Sequence, residues 1–149
     1  MASTTFTGPV TSLNGFVGAL TGNVAGSGNI THTTTAAINA TATATAAQVA
    51  TGYITSTSAA ATTITLPTGT LLGAAIGAVK GTIFDLYIDN TAGASTVTIA
   101  VATNGVLSTA AVDSAASFGD LTVASGATGL ARYTLMFSSA TAYAFTRTA

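Results

Sequence analysis

The sequence predicts an all-β fold, an antiparallel β-sandwich or jelly roll with one or two short helical turns and an extended N-terminal arm. Three observations carry this prediction. Thr and Ala each supply more than a fifth of the 149 residues. Short segments of period-two alternation recur at a spacing of about 8 to 12 residues. Gly, Pro, Asn and Ser punctuate those segments too often for long helices. The length fits a single β-sandwich domain, residues 30–149, preceded by the arm, residues 1–29.

The arm repeats a Gly-x-Val unit at Gly8-Pro9-Val10, Gly15-Phe16-Val17 and Gly22-Asn23-Val24. Such a repeat resembles a heptad, but Gly in every unit and Pro9 oppose helix, so short strands and turns are expected. Phe6, Val10, Phe16 and Val17 are too apolar for a free linker. They are the candidate interface residues, docking the arm on a neighbour or on a larger shell, with folding back on its own domain as the alternative.

From Ile30 to Ala47 the chain alternates Thr with Ala, a weak strand pattern because Ala buries little. Thr45 is positioned to cap a helical turn that Gly52 stops. Strands are expected at Tyr53 to Thr57 and Thr62 to Leu66, the second ended by Pro67. Thr68 then caps a short helix whose inward face is Leu71, Leu72, Ala75 and Ile76, with Gly77 and Gly81 bracketing its exit. Thr82 to Asp89, the turn Asn90-Thr91-Ala92-Gly93, and Thr96 to Val101 read as a strand pair of hairpin type. Asn104-Gly105 marks a further turn. Leu121 to Val123 is a short strand. Arg132 to Phe137 and Ala142 to Arg147 form a closing hairpin around Ser138-Ser139-Ala140-Thr141.

Composition narrows function by exclusion. Only 5% of the residues are charged, with no Glu, Trp or Cys and a formal net charge of -1. Lys80, Arg132 and Arg147 make no basic patch, so nucleic-acid binding is not expected. Mean hydropathy is +0.62, but Ala dominates it, and the apolar run Leu71 to Val79 is broken by Gly73 and Gly77. A spanning helix needs about 20 apolar residues, so no membrane is expected. The N-terminus lacks the basic flank and apolar run of a secretory signal, which implies synthesis in a cytoplasm. A surface of hydroxyls and methyls in place of charges is easily desolvated and favours assembly with other subunits.

Catalysis is not indicated. His32 is the only histidine, and no G-x-S-x-G motif accompanies it. Asp85 and Asp89 share a strand face and, with Asn90, offer oxygens to Ca²⁺, but six to eight ligands are wanted, and backbone-bonding turn residues are the preferred reading. Neither metal nor cofactor is expected. Tyr53, Tyr87, Tyr133 and Tyr143 are assigned to core packing rather than to a sugar-binding platform, since each lies in a strand pattern beside apolar residues.

Two stretches carry a resemblance. The arm, Phe6-Thr7-Gly8-Pro9-Val10 through Asn14-Gly15-Phe16-Val17-Gly18 and Thr21-Gly22-Asn23-Val24, resembles the N-terminal pattern of tailed-phage minor structural proteins. The core, Ala47-Gln48-Val49 with Gly52-Tyr53-Ile54, then Ile64-Thr65-Leu66-Pro67-Thr68, Asp89-Asn90-Thr91-Ala92-Gly93 and Thr96-Val97-Thr98-Ile99, looks like phage head decoration and related virion proteins. The resemblance implies a β-sandwich, a homo-oligomer expected to be a trimer, seated on the outer capsid surface of the virion where copies of the major capsid protein meet. The expected function is that of a non-enzymatic capsid decoration (cement) protein. The alternative is a tail or fibre-tip protein that binds a host receptor or glycan.

Overall fold

Short Thr- and Ile-rich segments extend because β-branched side chains suit a pleated, half-buried surface, and small turn residues stop them after a few positions. The computed structural model describes residues 34–107 and 121–148, and in it these segments form two mixed sheets, two α-helices and one 3-10 turn, Gly126–Thr128. The strands are β1 (Ala36–Ala37), β2 (Ala42–Thr43), β3 (Tyr53–Thr55), β4 (Thr62–Thr65), β5 (Ile83–Asp89), β6 (Val97–Ala100), β7 (Gly105–Leu107), β8 (Thr122–Val123), β9 (Leu130–Ser139) and β10 (Ala142–Arg147). Helix α1 (Ala46–Ala50) follows β2, and α2 (Gly69–Ile76) follows β4.

One sheet has six strands in the order β1-β3-β5-β9-β10-β7, the other four in the order β2-β4-β6-β8. The chain passes from the first sheet to the second, turns through a helix, and returns to lay the next strand beside the last. β1, β3 and β5 are therefore parallel neighbours, and so are β2, β4 and β6. Register stacks Ala36, Ile54 and Ile88 in one row, and Ala42, Ile64 and Ile99 in another. This path makes three stacked coils. Among the described residues antiparallel pairing enters only where β9 lies against β5 and β10, and where β8 lies against β6.

The expected antiparallel β-sandwich or jelly roll is thus incorrect. The fold is mixed α/β with parallel ladders in both sheets. The proposed hairpin of Thr82 to Asp89 with Thr96 to Val101 is also incorrect, because β5 and β6 belong to different sheets. Alternation has a period of two in either pairing direction, so it specifies which side chains face inward and leaves direction open. Direction is set by the connections: parallel neighbours need a long crossover, and the second-sheet strand and helix between successive coils supply one. The closing hairpin is present, with Tyr143 opposite Phe137 and Phe145 opposite Leu135. The arm, residues 1–29, lies outside the described residues.

Both helices start where Thr places a cap. Around α1, Thr45 Oγ1 accepts from Gln48 N at 3.2 Å while Thr45 N donates to Gln48 Oε1 at 2.8 Å, a reciprocal capping box. At α2, Thr68 Oγ1 accepts from Leu71 N at 3.3 Å, and Gly77 ends the helix at φ 64. Of the inward face expected for α2, Leu72 is buried and Ile76 packs partly buried against the core, whereas Leu71 and Ala75 do not turn inward. Gly73 is buried with Leu72, while Ala75 is exposed and Leu71 is 59% exposed. The reason lies in Gly69 and Gly73, which lie one turn apart. A Cβ on Gly69 would collide with Thr141 O, and one on Gly73 with Ala140 O. The helix rests these glycines on the β9–β10 turn, and this rotates Leu72 inward and Leu71 outward.

The core lies between the sheets. Ile54, Leu86, Ile88, Tyr133, Leu135, Tyr143 and Phe145 from the larger sheet meet Ile64, Val97, Ile99 and Val123 from the smaller, and Leu66 and Leu72 close one side. Tyr133 and Phe145 stack with ring centroids 4.8 Å apart. Each fully buried Leu, Ile or Phe stabilises the fold by roughly 1.5–3 kcal/mol before entropy is charged against it.

Candidate site on the outer face of the larger sheet

Strand alternation that buries Leu86 and Ile88 turns Ile83, Asp85, Tyr87 and Asp89 to the opposite face. The same parity in β9 buries Tyr133 and Leu135 and presents Arg132, Thr134 and Met136. In β3 it buries Ile54 and presents Tyr53 and Thr55. Register then orders this face into rows. Ile83 lies beside Met136, Asp85 beside Thr134, Tyr53 beside Tyr87 and then Arg132, and Thr55 beside Asp89.

The face changes character along its length. At one end Ile83 is 69% exposed and Met136 41%, with Val79, 64% exposed, in the turn that leads into β5. At the other end Tyr53 and Tyr87 lie with centroids 6.3 Å apart and planes within 23°. Tyr53 Oη donates to Asp89 Oδ2 at 2.8 Å. Asp89 Oδ1 accepts from Thr91 Oγ1 at 2.6 Å and from Thr91 N at 2.9 Å. The Thr91 bonds, joined by that of Tyr53, hold the Asp89 carboxyl below its ordinary range. The bond to this carboxylate, with partial burial, raises the Tyr53 phenol.

Two further groups are held in place. Thr134 Oγ1 donates to Asp85 Oδ1 at 2.7 Å. Arg132 Nε donates to Thr148 Oγ1 at 3.1 Å, and this hydroxyl lies 3.3 Å from that of Thr134. Asp85, Asp89 and Arg132 are three of the five charged residues in the described part, so the fold gathers most of its charge around two tyrosines.

Elsewhere an apolar concavity of ≈ 360 Å³ runs along the corner where β2, β4 and β6 lead out of the smaller sheet. Thr43, Ala44, Pro67, Leu71 and Ala102 line it. Among the described residues no three His, Cys, Asp or Glu side chains come together to hold a metal ion, and no helix is long and apolar enough to cross a membrane.

The interface candidates Phe6, Val10, Phe16 and Val17 lie outside the described residues, as do His32, Asp113 and Asp120. Asp85 and Asp89 share one face, as expected of a strand. The assignment of all four tyrosines to the core is half incorrect. Tyr133 and Tyr143 are buried, while Tyr53 and Tyr87 stand on the outer face. The signal was present in the sequence: Tyr53 precedes Ile54 and Tyr87 sits between Leu86 and Ile88, so in each case the neighbour takes the inward position.

No family model, curated protein or solved structure matches the chain.

Proposed function

We propose that this chain is a non-enzymatic virion structural protein of a tailed phage, a cement protein that binds the outer capsid as an oligomer, expected to be a trimer, and bridges copies of the major capsid protein. The observation that carries the proposal is the apolar row of Ile83 and Met136, with Val79 also exposed in the turn before β5. These are large, exposed side chains on a chain with few charges to keep neighbours apart. A surface of this kind gains by being covered. Repeated over many equivalent positions on a shell, a modest contact becomes strong through avidity. The apolar corner groove offers a second surface of the same kind.

Immunogold electron microscopy of purified virions with an antibody against the chain tests the assignment. Label over the head is expected, and absence of label from the head overturns it. Label confined to the tail would favour the alternative, a tail or fibre-tip protein that binds a host receptor or glycan, to which the outward Tyr53 and Tyr87 are suited.

A further inference from the structure

We propose that Tyr53, Tyr87, Asp85 and Arg132 form a binding site for a neutral oligosaccharide, whether the chain sits on a head or on a tail. Among the described residues, Tyr133, Tyr143, Phe137 and Phe145 are buried and Phe84 packs partly buried against the core. Tyr53 and Tyr87 instead lie side by side on an outer face, and the bond from Tyr53 Oη to Asp89 fixes the first ring in place. Paired rings of this kind offer apolar area at little entropic cost, because each has only two side-chain torsions to fix.

Beside the rings stand open hydrogen-bond valences of both kinds. Among the described residues Asp85 engages only Oδ1, for Thr134, which leaves Oδ2 to accept. Arg132 uses Nε for Thr148, and its Nη groups make no hydrogen bond among the described residues, so they are available to donate. Both side chains are thus oriented by threonines before any ligand arrives, which reduces the ordering cost of binding.

Charge selects the ligand class. A phosphate or other anion drawn to Arg132 would face the carboxylates of Asp85 and Asp89, and a cation drawn to those would face the guanidinium. A neutral polyol avoids both conflicts. Vicinal hydroxyls donate to the carboxylate and accept from the guanidinium, while the apolar C–H side of the sugar ring covers the tyrosines.

The test uses the full chain. Tetrasaccharides of glucose, galactose, mannose and rhamnose, with a sialylated oligosaccharide as acidic control, are titrated against it. Tyrosine emission and saturation-transfer NMR are the readouts, and the absence of Trp makes tyrosine the emitting group. Saturable binding of at least one neutral tetrasaccharide is expected, weakened about tenfold or more by Tyr87→Ala and by Asp85→Asn. Asp85 is exposed, so Asp85→Asn should keep the wild-type melting temperature. The proposal is overturned if no neutral tetrasaccharide binds, if the sialylated control binds as well as the neutral ones, or if both variants bind like wild type. It is also overturned if the variants change the sedimentation coefficient without any saccharide binding, for then the face is covered by a second copy.

Discussion

Asn90 directly follows β5 and is fully buried, with its side-chain amide at the point where three parts of the chain meet. Nδ2 lies 2.8 Å from Ser95 O, 2.9 Å from Ala124 O and 3.2 Å from Val123 O, so one amide ties the β5–β6 corner to the segment around β8. Its backbone adds a bond from Asn90 N to Gly129 O and another from Gly93 N to Asn90 O. Two amide hydrogens make two good bonds and share the third acceptor. Asn90→Ala deletes them and leaves carbonyls buried without a donor. At about 1–1.5 kcal/mol for each lost bond, plus part of the penalty for an orphaned acceptor, a loss of about 3 kcal/mol is expected. Oδ1 finds no partner among the described residues, so deleting the oxygen forfeits nothing in return.

Asn90→Asp gives a sharper test, because it preserves shape and removes the donors. A carboxylate facing three carbonyl oxygens is repelled, so the folded state favours the protonated acid and raises its pKa above the unfolded value of about 4. Stability is then best below the unfolded pKa and is lost as pH rises through the folded one. The penalty of Asn90→Asp should therefore grow between pH 4 and pH 7, while that of Asn90→Ala stays level relative to wild type. Urea unfolding at both pH values measures each difference from the midpoint and slope. A penalty below about 1 kcal/mol for both variants, or an Asn90→Asp penalty that does not rise with pH, would refute the reasoning.

Other consequences follow from the packing. Gly73→Ala pushes a methyl into Ala140 O and should destabilise by about 2 kcal/mol or more, whereas Ala75→Gly on the exposed side of α2 should cost only about 1 kcal/mol of helix propensity; thermal melts separate them. Tyr143 Oη donates to Pro67 O at 3.0 Å, and burial pushes its phenol up to about 12. The folded state thus favours the protonated phenol, and its contribution is complete below the unfolded pKa of about 10 and is lost as pH climbs from there toward 12. Tyr143→Phe should cost about 1 kcal/mol at neutral pH and reduce the alkaline loss, as read by denaturant midpoints across pH 9 to 12. Thr91→Val removes the largest of the bonds that lower the Asp89 carboxyl, so its titration followed by NMR should move up toward the ordinary carboxylate range. Ile83→Ser with Met136→Ser should leave the melting temperature nearly unchanged, because both side chains are exposed, yet weaken attachment to capsids; attachment at wild-type strength would remove the apolar row from the binding surface.

Local structure is more legible in this sequence than the global arrangement. Thr45 with Gln48, and Thr68 with Gly77, fix helix ends through bonds between residues a few positions apart, and these are visible in order along the chain. The alternation of Tyr143 and Phe145 with small residues identified a strand and its buried face for the same reason. Pairing direction is a different kind of fact. Nothing within Thr62 to Thr65 states that its neighbours are Ala42–Thr43 and Val97–Ala100, or that both run parallel to it. The rotation of α2 was missed because a hydrophobic-face argument gives weight to Leu71 and none to Gly69 or Gly73, although in the fold the missing side chains decide the contact. Residue type alone sends aromatic rings to the interior, whereas parity against Ile54, Leu86 and Ile88 sends Tyr53 and Tyr87 outward.

The proposed cement role is tested most directly by adding the purified chain to heads assembled without it and measuring both binding and heat resistance. Saturable binding at a fixed number of copies per head, with release of packaged DNA shifted to higher temperature, is the predicted result. Heads that bind none of the chain, or bind it and burst at an unchanged temperature, would contradict it.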